Sequence, residues 1–535
     1  MKKVIAVSSL EKVFPDSVSI AEINGFSMLK NEIKSFQLVF HAVKGERVEF
    51  SVKSPLADNL KFSYVKMING GYSVPNTADD FYIGKRDAYP DLLLPVDNNG
   101  FIAEYDGLNA LWVQISGDSL PSGEFEICVS IGGDECTVTV QIIDALLPKQ
   151  ELIYTNWFHT DCLMSHYGFE AFSDEYWRVT ENFLRRAAEY GMNCVLTPLF
   201  TPPLDTKIGG ERPTVQLVDV RVIGENQYEF SFEKLDKWLE ICDRCNIEYY
   251  EMSHFFTQWG ARHAPKIVAD VNGEQKRIFG WDTLATGKNY KLFLKQFAKA
   301  FTAYINKKGI REKCFLHVSD EPSAGMLHAY RGASKIIHNN FKGFKVIDAM
   351  SSYFLYRFAK IQSPIPANDF VQNFIGRVPE LWTYYCSSQN HNYVSNRLFA
   401  MPSQRNRVIG LQLFKFDVKG FLHWGYNFYY TQYSKREVDP FTETDAGGKF
   451  PSGDSYVVYP GEKGEPLDSL RLYVFYDALQ DLRALKLLES KIGKEKALAI
   501  VEQGMDKPLT FSEYPHDAKW LEDVRERINK AIIDN

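Results

Sequence analysis

Two hydrophobic rhythms divide the chain. Up to about residue 148, apolar residues come in short runs rich in Val, Ile, Phe and Thr, at 36–42, 47–52, 110–115, 125–131 and 136–143. Such runs predict β-strands. The turn sequences Asn69-Gly70-Gly71, Asn98-Asn99-Gly100 and Gly132-Gly133-Asp134 separate them. Several short strands at this spacing suggest an N-terminal β-sandwich over residues 1–148, closed by Leu146-Leu147-Pro148. From residue 149 the rhythm changes. Strand-like runs at 152–158, 193–198, 247–253, 314–319, 345–349, 369–373, 381–386 and 420–424 alternate with helical stretches. The stretches 174–190, 232–245, 290–306 and 323–338 carry apolar residues at helical spacing. Strands and helices alternating in this way fit a (β/α)8 barrel over 149–465, with a doubly wound open sheet as the competing fold. Residues 466–535 read as a mostly helical, charged C-terminal segment. In it, 517–533 reads as a surface helix packed on the barrel.

Composition narrows the class. The 535 residues are 45% hydrophobic and 24% charged, which excludes general disorder. A net charge of -7 argues against a nucleic-acid partner. No run of 18 apolar residues exists, so no membrane span is expected. Met1-Lys2-Lys3 followed by Val4 to Leu10 resembles the start of a secretory signal. Ser8, Ser9, Glu11 and Lys12 break the apolar stretch, so it reads as a first strand and the protein as cytoplasmic. The eight cysteines are scattered, without a disulfide framework. Cys242-Asp243-Arg244-Cys245 is a lone pair on a helix face. Glycine-rich nucleotide motifs are missing, so no cofactor is expected. His159, Asp161, His254 and His263 lack metal-ligand spacing, so no metal is expected either. Oligomeric state is left open.

The strongest chemical signal is Phe315-Leu316-His317-Val318-Ser319-Asp320-Glu321-Pro322, an apolar strand running into adjacent carboxylates. At the C-terminal end of a barrel strand this is an active-site position. The competing reading is a helix cap, with Pro322 opening the next helix. Two-carboxylate retaining glycosidases need a nucleophile across the site, about 5 Å from the acid. The seventh strand, Leu381-Trp382-Thr383-Tyr384-Tyr385-Cys386, offers none. A 2-acetamido sugar supplies its own nucleophile, its carbonyl oxygen. One carboxylate then orients the amide and its neighbour protonates the leaving oxygen. Other strand ends are rich in types that bind sugar rings. Asn156, Trp157, His159 and Asp161 follow the first strand and His254 the third. Trp382 and Tyr384 lie on the seventh, and Trp424 and Asn427 follow the eighth. The third cluster also contains Gln258 and Trp259.

Taken together the chain resembles glycoside hydrolase family 123. The resemblance rests on Glu32 to Phe40 and Tyr89 to Pro95 in the N-terminal part. In the barrel it rests on Ser319-Asp320-Glu321-Pro322, Trp382-x-Tyr384-x-Cys386 and Gly420-Phe421-Leu422-His423-Trp424 with Tyr426-Asn427. The run from Gly453-Asp454 to Tyr459-Pro460-Gly461, then Ser469-Leu470-Arg471 and Asp481, completes it. The resemblance implies an exo-acting, retaining β-N-acetylgalactosaminidase working by substrate assistance, and the cytoplasmic reading implies a small carbohydrate substrate in place of the family's glycolipid type. Asp320 would orient the 2-acetamido group and Glu321 would be the general acid/base. Two other readings stand beside it. One is a glycosidase for a different sugar using another carboxylate, with Asp161, Glu251 and Asp282 as candidates. The other is a non-catalytic carbohydrate-binding protein. The N-terminal domain is expected to buttress the barrel.

Overall fold

The computed structural model describes residues 4–72, 79–82, 87–97, 100–258, 260–359, 361 and 363–535. Met1-Lys2-Lys3, Asn98, Asn99 and Trp259 lie outside them.

The N-terminal region holds two main sheets. One runs, in spatial order, Ile5–Ser8, Lys34–Ala42, Gly107–Ile115, Leu60–Asn69 and Ala88–Val96, every pair antiparallel. The other runs Gly25–Leu29, Asp134–Ile143, Gly123–Ile131 and Phe50–Lys53. The period of two in Lys34–Ala42 explains how they pack. Phe36, Leu38 and Phe40 join Ile127, Val129, Val138 and Val140 in a core shared by both sheets. Val39, with Val65, Leu93, Ala110 and Trp112, belongs to the large core that includes the barrel helices. The first sheet therefore buries both faces, which is why its strands are apolar without clean alternation. The Val4–Leu10 stretch enters it as Ile5–Ser8, with Ala6 in one core and Val7 in the other. The sheet does not end with residue 148. Pro466–Ser469 pairs with Ala88–Val96, and Tyr459–Pro460 pairs with Pro466–Ser469.

Eight parallel strands form a nearly closed barrel. In chain order they are Ile153–Asn156, Cys194–Thr197, Tyr249–Met252, Cys314–Leu316, Lys345–Ala349, Ser363–Ile365, Trp382–Tyr384 and Gly420–His423. Spatially they run sixth, fifth, fourth, third, second, first, eighth, seventh. A bridge between Ala367 and Tyr384 brings the last gap together: Asn368 N–H donates to Tyr384 O (2.8 Å) and Tyr384 N–H to Pro366 O (3.2 Å). This arrangement replaces the open-sheet alternative. The sixth strand is not where the pattern at 369–373 puts it, because Val371–Asn373 is a 3-10 turn. The strand is the proline-bearing Ser363–Ile365. Pro364 and Pro366 read as breakers, but a strand paired along one side tolerates a missing N–H. Inside the barrel Trp382 packs edge-on to Phe315, ring centroids 5.6 Å apart. Gly420 makes room for it, since a β-carbon there would fall 2.0 Å from the indole.

Two hairpins that the sequence pattern leaves unread extend the loops after the second and third strands. Asp219–Gly224 with Gln227–Ser231 and Ile267–Val271 with Glu274–Phe279 join into one four-stranded sheet. Phe230 packs from it onto Phe293 and Phe297 of the helix Lys288–Lys308. Among the described residues no helix is long and apolar enough to cross a membrane.

After the eighth strand comes the helix Leu470–Ile492, capped by the Ser469 hydroxyl accepting from Leu472 N–H (3.2 Å). It is buried along most of its length. The final helix, Ala518–Asp534, lies against it and against Gly25–Leu29. Asp481 accepts from Arg407 (2.8 and 3.0 Å) and from Arg525 (2.9 Å), and Arg525 also bonds Glu32 (2.7 Å). All four side chains are buried. The cluster ties the helices Ser403–Arg407, Leu470–Ile492 and Ala518–Asp534 to the N-terminal region. Asp481→Ala would leave two buried guanidinium groups without their shared acceptor. It is expected to destabilise the fold by about 3–5 kcal/mol. Calorimetry should show a large drop in melting temperature, against none for Asp523→Ala, whose Lys519 partner lies on the surface.

Candidate active site

Asp320, Glu321, Trp157, His159, Tyr384 and Trp424 line one pocket at the C-terminal ends of the barrel strands. The fourth strand ends at Leu316, earlier than the pattern predicts, so the two carboxylates sit on a turn. Glu321 has φ +41°. A non-glycine residue in the left-handed region is strained, and such strain persists only where surrounding structure imposes it. The sharp turn lets adjacent side chains, which an extended strand would send to opposite faces, reach the same cavity. The next α-helix starts at Leu327, with Met326 at its cap and a 3-10 turn, Ala324–Met326, before it. The carboxylates are therefore not its cap.

The Tyr384 hydroxyl donates to Glu321 Oε1. Burial, then the neighbouring Glu321 charge, pushes the Asp320 carboxyl well above the usual carboxylate range. The aromatic walls are held from behind. Trp157 Nε1–H donates to Glu251 Oε1 (2.7 Å) and Trp424 Nε1–H to Asp454 Oδ2 (3.0 Å). Burial pushes Asp454 up to about 7. His159 accepts at Nδ1 from Arg212 (3.2 Å) and donates from Nε2 to Trp424 O (3.0 Å). Burial and the Arg212 charge pull it down to about 4, so it is a neutral wall at physiological pH.

Five residues from the same strand ends do not line the pocket. Asn156 points outward to Tyr154 OH (3.2 Å), because the period of two turns Thr155 and Trp157 inward. Trp382 and Tyr384 share an inward face, but Trp382 lies a layer deeper, where its N–H meets Glu380 (2.8 Å). Asp161 forms a buried two-point pair with Arg212 (2.7 Å each). Asn427 clamps the His159 backbone, accepting from N–H (2.9 Å) and donating to O (3.1 Å). His254 stacks on the buried His317 ring. Asp161, Asn427 and Arg212 support His159 from behind and do not face a ligand. The other candidate carboxylates are also committed elsewhere: Glu251 is fully buried among donors, and Asp282 is on the surface with Arg277.

The pocket also contains Asp205, Gln258 and Cys386. Asp205 lies in the long loop after the second strand, where no strand-end pattern marks it. It too has a positive φ, +39°. Its N–H donates to Gln258 (2.5 Å), and its Oδ2 accepts from Tyr433 N–H (2.9 Å). Burial pushes it up to about 6.

His254, His317 and Asp348 bring three ligand-type atoms within 4.8 Å of one another. The two rings stack, centroids 4.2 Å apart and planes 24° apart. An imidazole lone pair lies in the ring plane, and two nearly parallel planes do not converge on one nearby ion. The geometry does not fit a metal.

A parallel barrel carrying paired carboxylates between aromatic walls at its strand ends is the architecture of a sugar-cleaving barrel. The catalytic domain of glycoside hydrolase family 123 matches residues 157–488, and the chain belongs to that family. Its fold is similar to that of a family 123 glycoside hydrolase from Clostridium perfringens studied for glycolipid glycan hydrolysis. The TM-score is 0.76 at 14% identity, covering 100% of this chain and 98% of that one. A family 5 mannosidase from Rhizomucor miehei aligns at TM-score 0.35 and 12% identity, over 65% of this chain and 96% of its own. No curated protein matches. Trp424→Ala should raise KM for a glycoside about ten-fold through loss of ring contact, and should also lower the melting temperature by a few degrees, because the buried Asp454 loses its indole donor. Steady-state kinetics beside a thermal melt checks both.

Proposed function

We propose that the protein is a retaining, exo-acting glycosidase. It removes a terminal β-linked N-acetylhexosamine, N-acetylgalactosamine in the first instance, through an oxazolinium intermediate. One observation carries the reading: the adjacent carboxylates Asp320 and Glu321 share a pocket, and the seventh strand presents Tyr384 there instead of a nucleophile. The acetamido carbonyl oxygen attacks C1 while Glu321 gives its proton to the leaving oxygen. Asp320, ionised, accepts the amide N–H and stabilises the cyclic cation. Glu321 then takes a proton from the water that attacks C1, and the ring opens. Trp157 and Trp424 flank the sugar, and His159 offers it a neutral polar edge. Residues 1–148 serve in this reading as a β-sandwich buttress to the barrel. Residues 466–535 are a helical segment whose first strand stitches the two together.

Asp205 supports a second reading, because it is a carboxylate lining the same pocket. A protein nucleophile would extend activity to sugars without the acetamido group. A panel of aryl glycosides separates the two: β-N-acetylgalactosaminide, β-N-acetylglucosaminide, β-galactoside and β-glucoside. Release from the acetamido sugars alone is expected, and release from a plain galactoside or glucoside would favour Asp205. Glu321→Gln should abolish most turnover of unactivated substrates with binding nearly intact. Asp320→Asn should lose turnover on acetamido sugars.

The pH dependence follows from Asp320. Its ionised form is the active one and burial raises its pKa. The value of kcat/KM should therefore fall, as pH drops, at a point well above the ordinary carboxylate range near 4. The residual activity of Asp320→Asn should lack that acid limb. A wild-type limb near 4 would contradict the assignment.

A further inference from the structure

Beneath the pocket lies a buried polar cluster that the reaction as written does not use. His317 stands between Glu251 of the third strand and Asp348 of the fifth. Its Nε2 is 2.5 Å from Glu251 Oε1 and its Nδ1 3.1 Å from Asp348 Oδ1. All three side chains are buried. Glu251 also accepts from the Trp157 indole (2.7 Å) and the Thr155 hydroxyl (2.5 Å). Asp348 also accepts from Val318 N–H (3.0 Å) and the Tyr330 hydroxyl. Indole and backbone N–H groups only donate, so both carboxylates act as acceptors, and each faces a ring nitrogen of His317. A histidine that donates from both nitrogens is an imidazolium. Its face is covered by His254, and Trp157 stands edge-on at 6.3 Å and 90°. Both His254 nitrogens are buried without a hydrogen-bond partner. Burial and the His317 charge hold that ring neutral, a π face suited to a cation.

We propose that His317 is a positioning residue, held as a buried imidazolium whose charge offsets Glu251 and Asp348 so that Asp320 beside them can ionise. Through Glu251 it fixes the indole of Trp157, and through Asp348 it fixes the backbone at Val318, just before the catalytic turn. Burial disfavours the charged ring, yet Glu251 and Asp348 outweigh it and push His317 up to about 9. Asp320 feels the same set: burial and Glu321 raise it, His317 lowers it, and Asp348 and Glu251 raise it. Removing the cation leaves two buried carboxylates facing a third. The other titratable groups packed around this set are Tyr330, His254, Cys194 beside Glu251, and Tyr384 beside Glu321. The effect on catalysis rests on the substrate-assisted reading, which makes ionised Asp320 the active form. The protonation state of His317 does not depend on it.

Two measurements test the proposal. In the full-length protein, 15N-labelled histidine should give an NMR signature with both His317 nitrogens protonated at pH 8. His317-Val318 is the one His-Val pair in the sequence, so paired 13C-His and 15N-Val labelling picks out its backbone amide, and correlation through the His317 side chain then assigns the ring nitrogens without a variant. A ring with one bare nitrogen at pH 8 would overturn the proposal, whether or not any variant folds. Second, His317→Gln should move the acid limb of kcat/KM upward by about one pH unit or more. A lowered kcat with an unmoved limb would mean a merely structural role and sink the positioning claim. Wild-type silence on every aryl glycoside would instead count against the proposed function, and the NMR result would still decide the state of His317.

Discussion

A carboxylate with no exposed surface sits at the centre of this barrel, and the pocket is arranged around it. Glu251 receives the indole N–H of Trp157, the hydroxyl of Thr155 and the imidazole of His317. A buried polar group is costly unless hydrogen-bond partners surround it. The first and fourth strands must therefore meet the third in the register that brings those donors together. That requirement sets the tilt of the Trp157 wall and the height of the fourth strand. The height of the fourth strand in turn decides where the turn carrying Asp320 and Glu321 emerges.

Support from outside the barrel works by the same principle. Arg471 on the helix Leu470–Ile492 bonds Asp91 of the N-terminal sheet (2.7 and 2.9 Å), and the Tyr459 hydroxyl donates to the same carboxylate (2.6 Å). Arg212, Arg397 and Arg405 are likewise buried among acceptors. The loops that shape the pocket are thus pinned by directional, fully desolvated contacts, which tolerate little displacement before an acceptor or donor is left bare. The strained backbone at Asp205 lies next to one such contact, Arg212 donating to Leu204 O (3.2 Å). The N-terminal sheet adds a second apolar face to the barrel's outer helices, so one hydrophobic cluster runs from it into the barrel.

Much of this was legible in the chain. The strand runs at 345–349 and 420–424 and the helices at 174–190, 232–245 and 290–306 lie within two residues or so of the observed elements. Each carries a strong local period. The sixth strand was not legible, because Pro364 within it and Pro366 just after it look like a loop until the fifth strand supplies a partner on one side. The two hairpins were missed because their alternating pattern is polar and short. Trp157, Tyr384 and Trp424 line the pocket, as their strand-end positions suggest, because strand ends on the C-terminal face converge in any such barrel. Asn156 and Trp382 share those strands, but one points outward and the other lies a layer too deep.

What the sequence determined by itself is local and periodic: strand against helix, the order of the barrel, and the adjacent carboxylates following an apolar strand. Those features follow from backbone geometry and side-chain spacing over a few residues. Only the tertiary structure decided that Asp161 is spent on Arg212, that Asp205 reaches the pocket from a long loop, and that His317 stands between two acids. Each of these joins residues more than 30 positions apart in sequence. The charge a group carries there depends on burial and on the partners packed against it, and neither is written in the spacing of its neighbours along the chain.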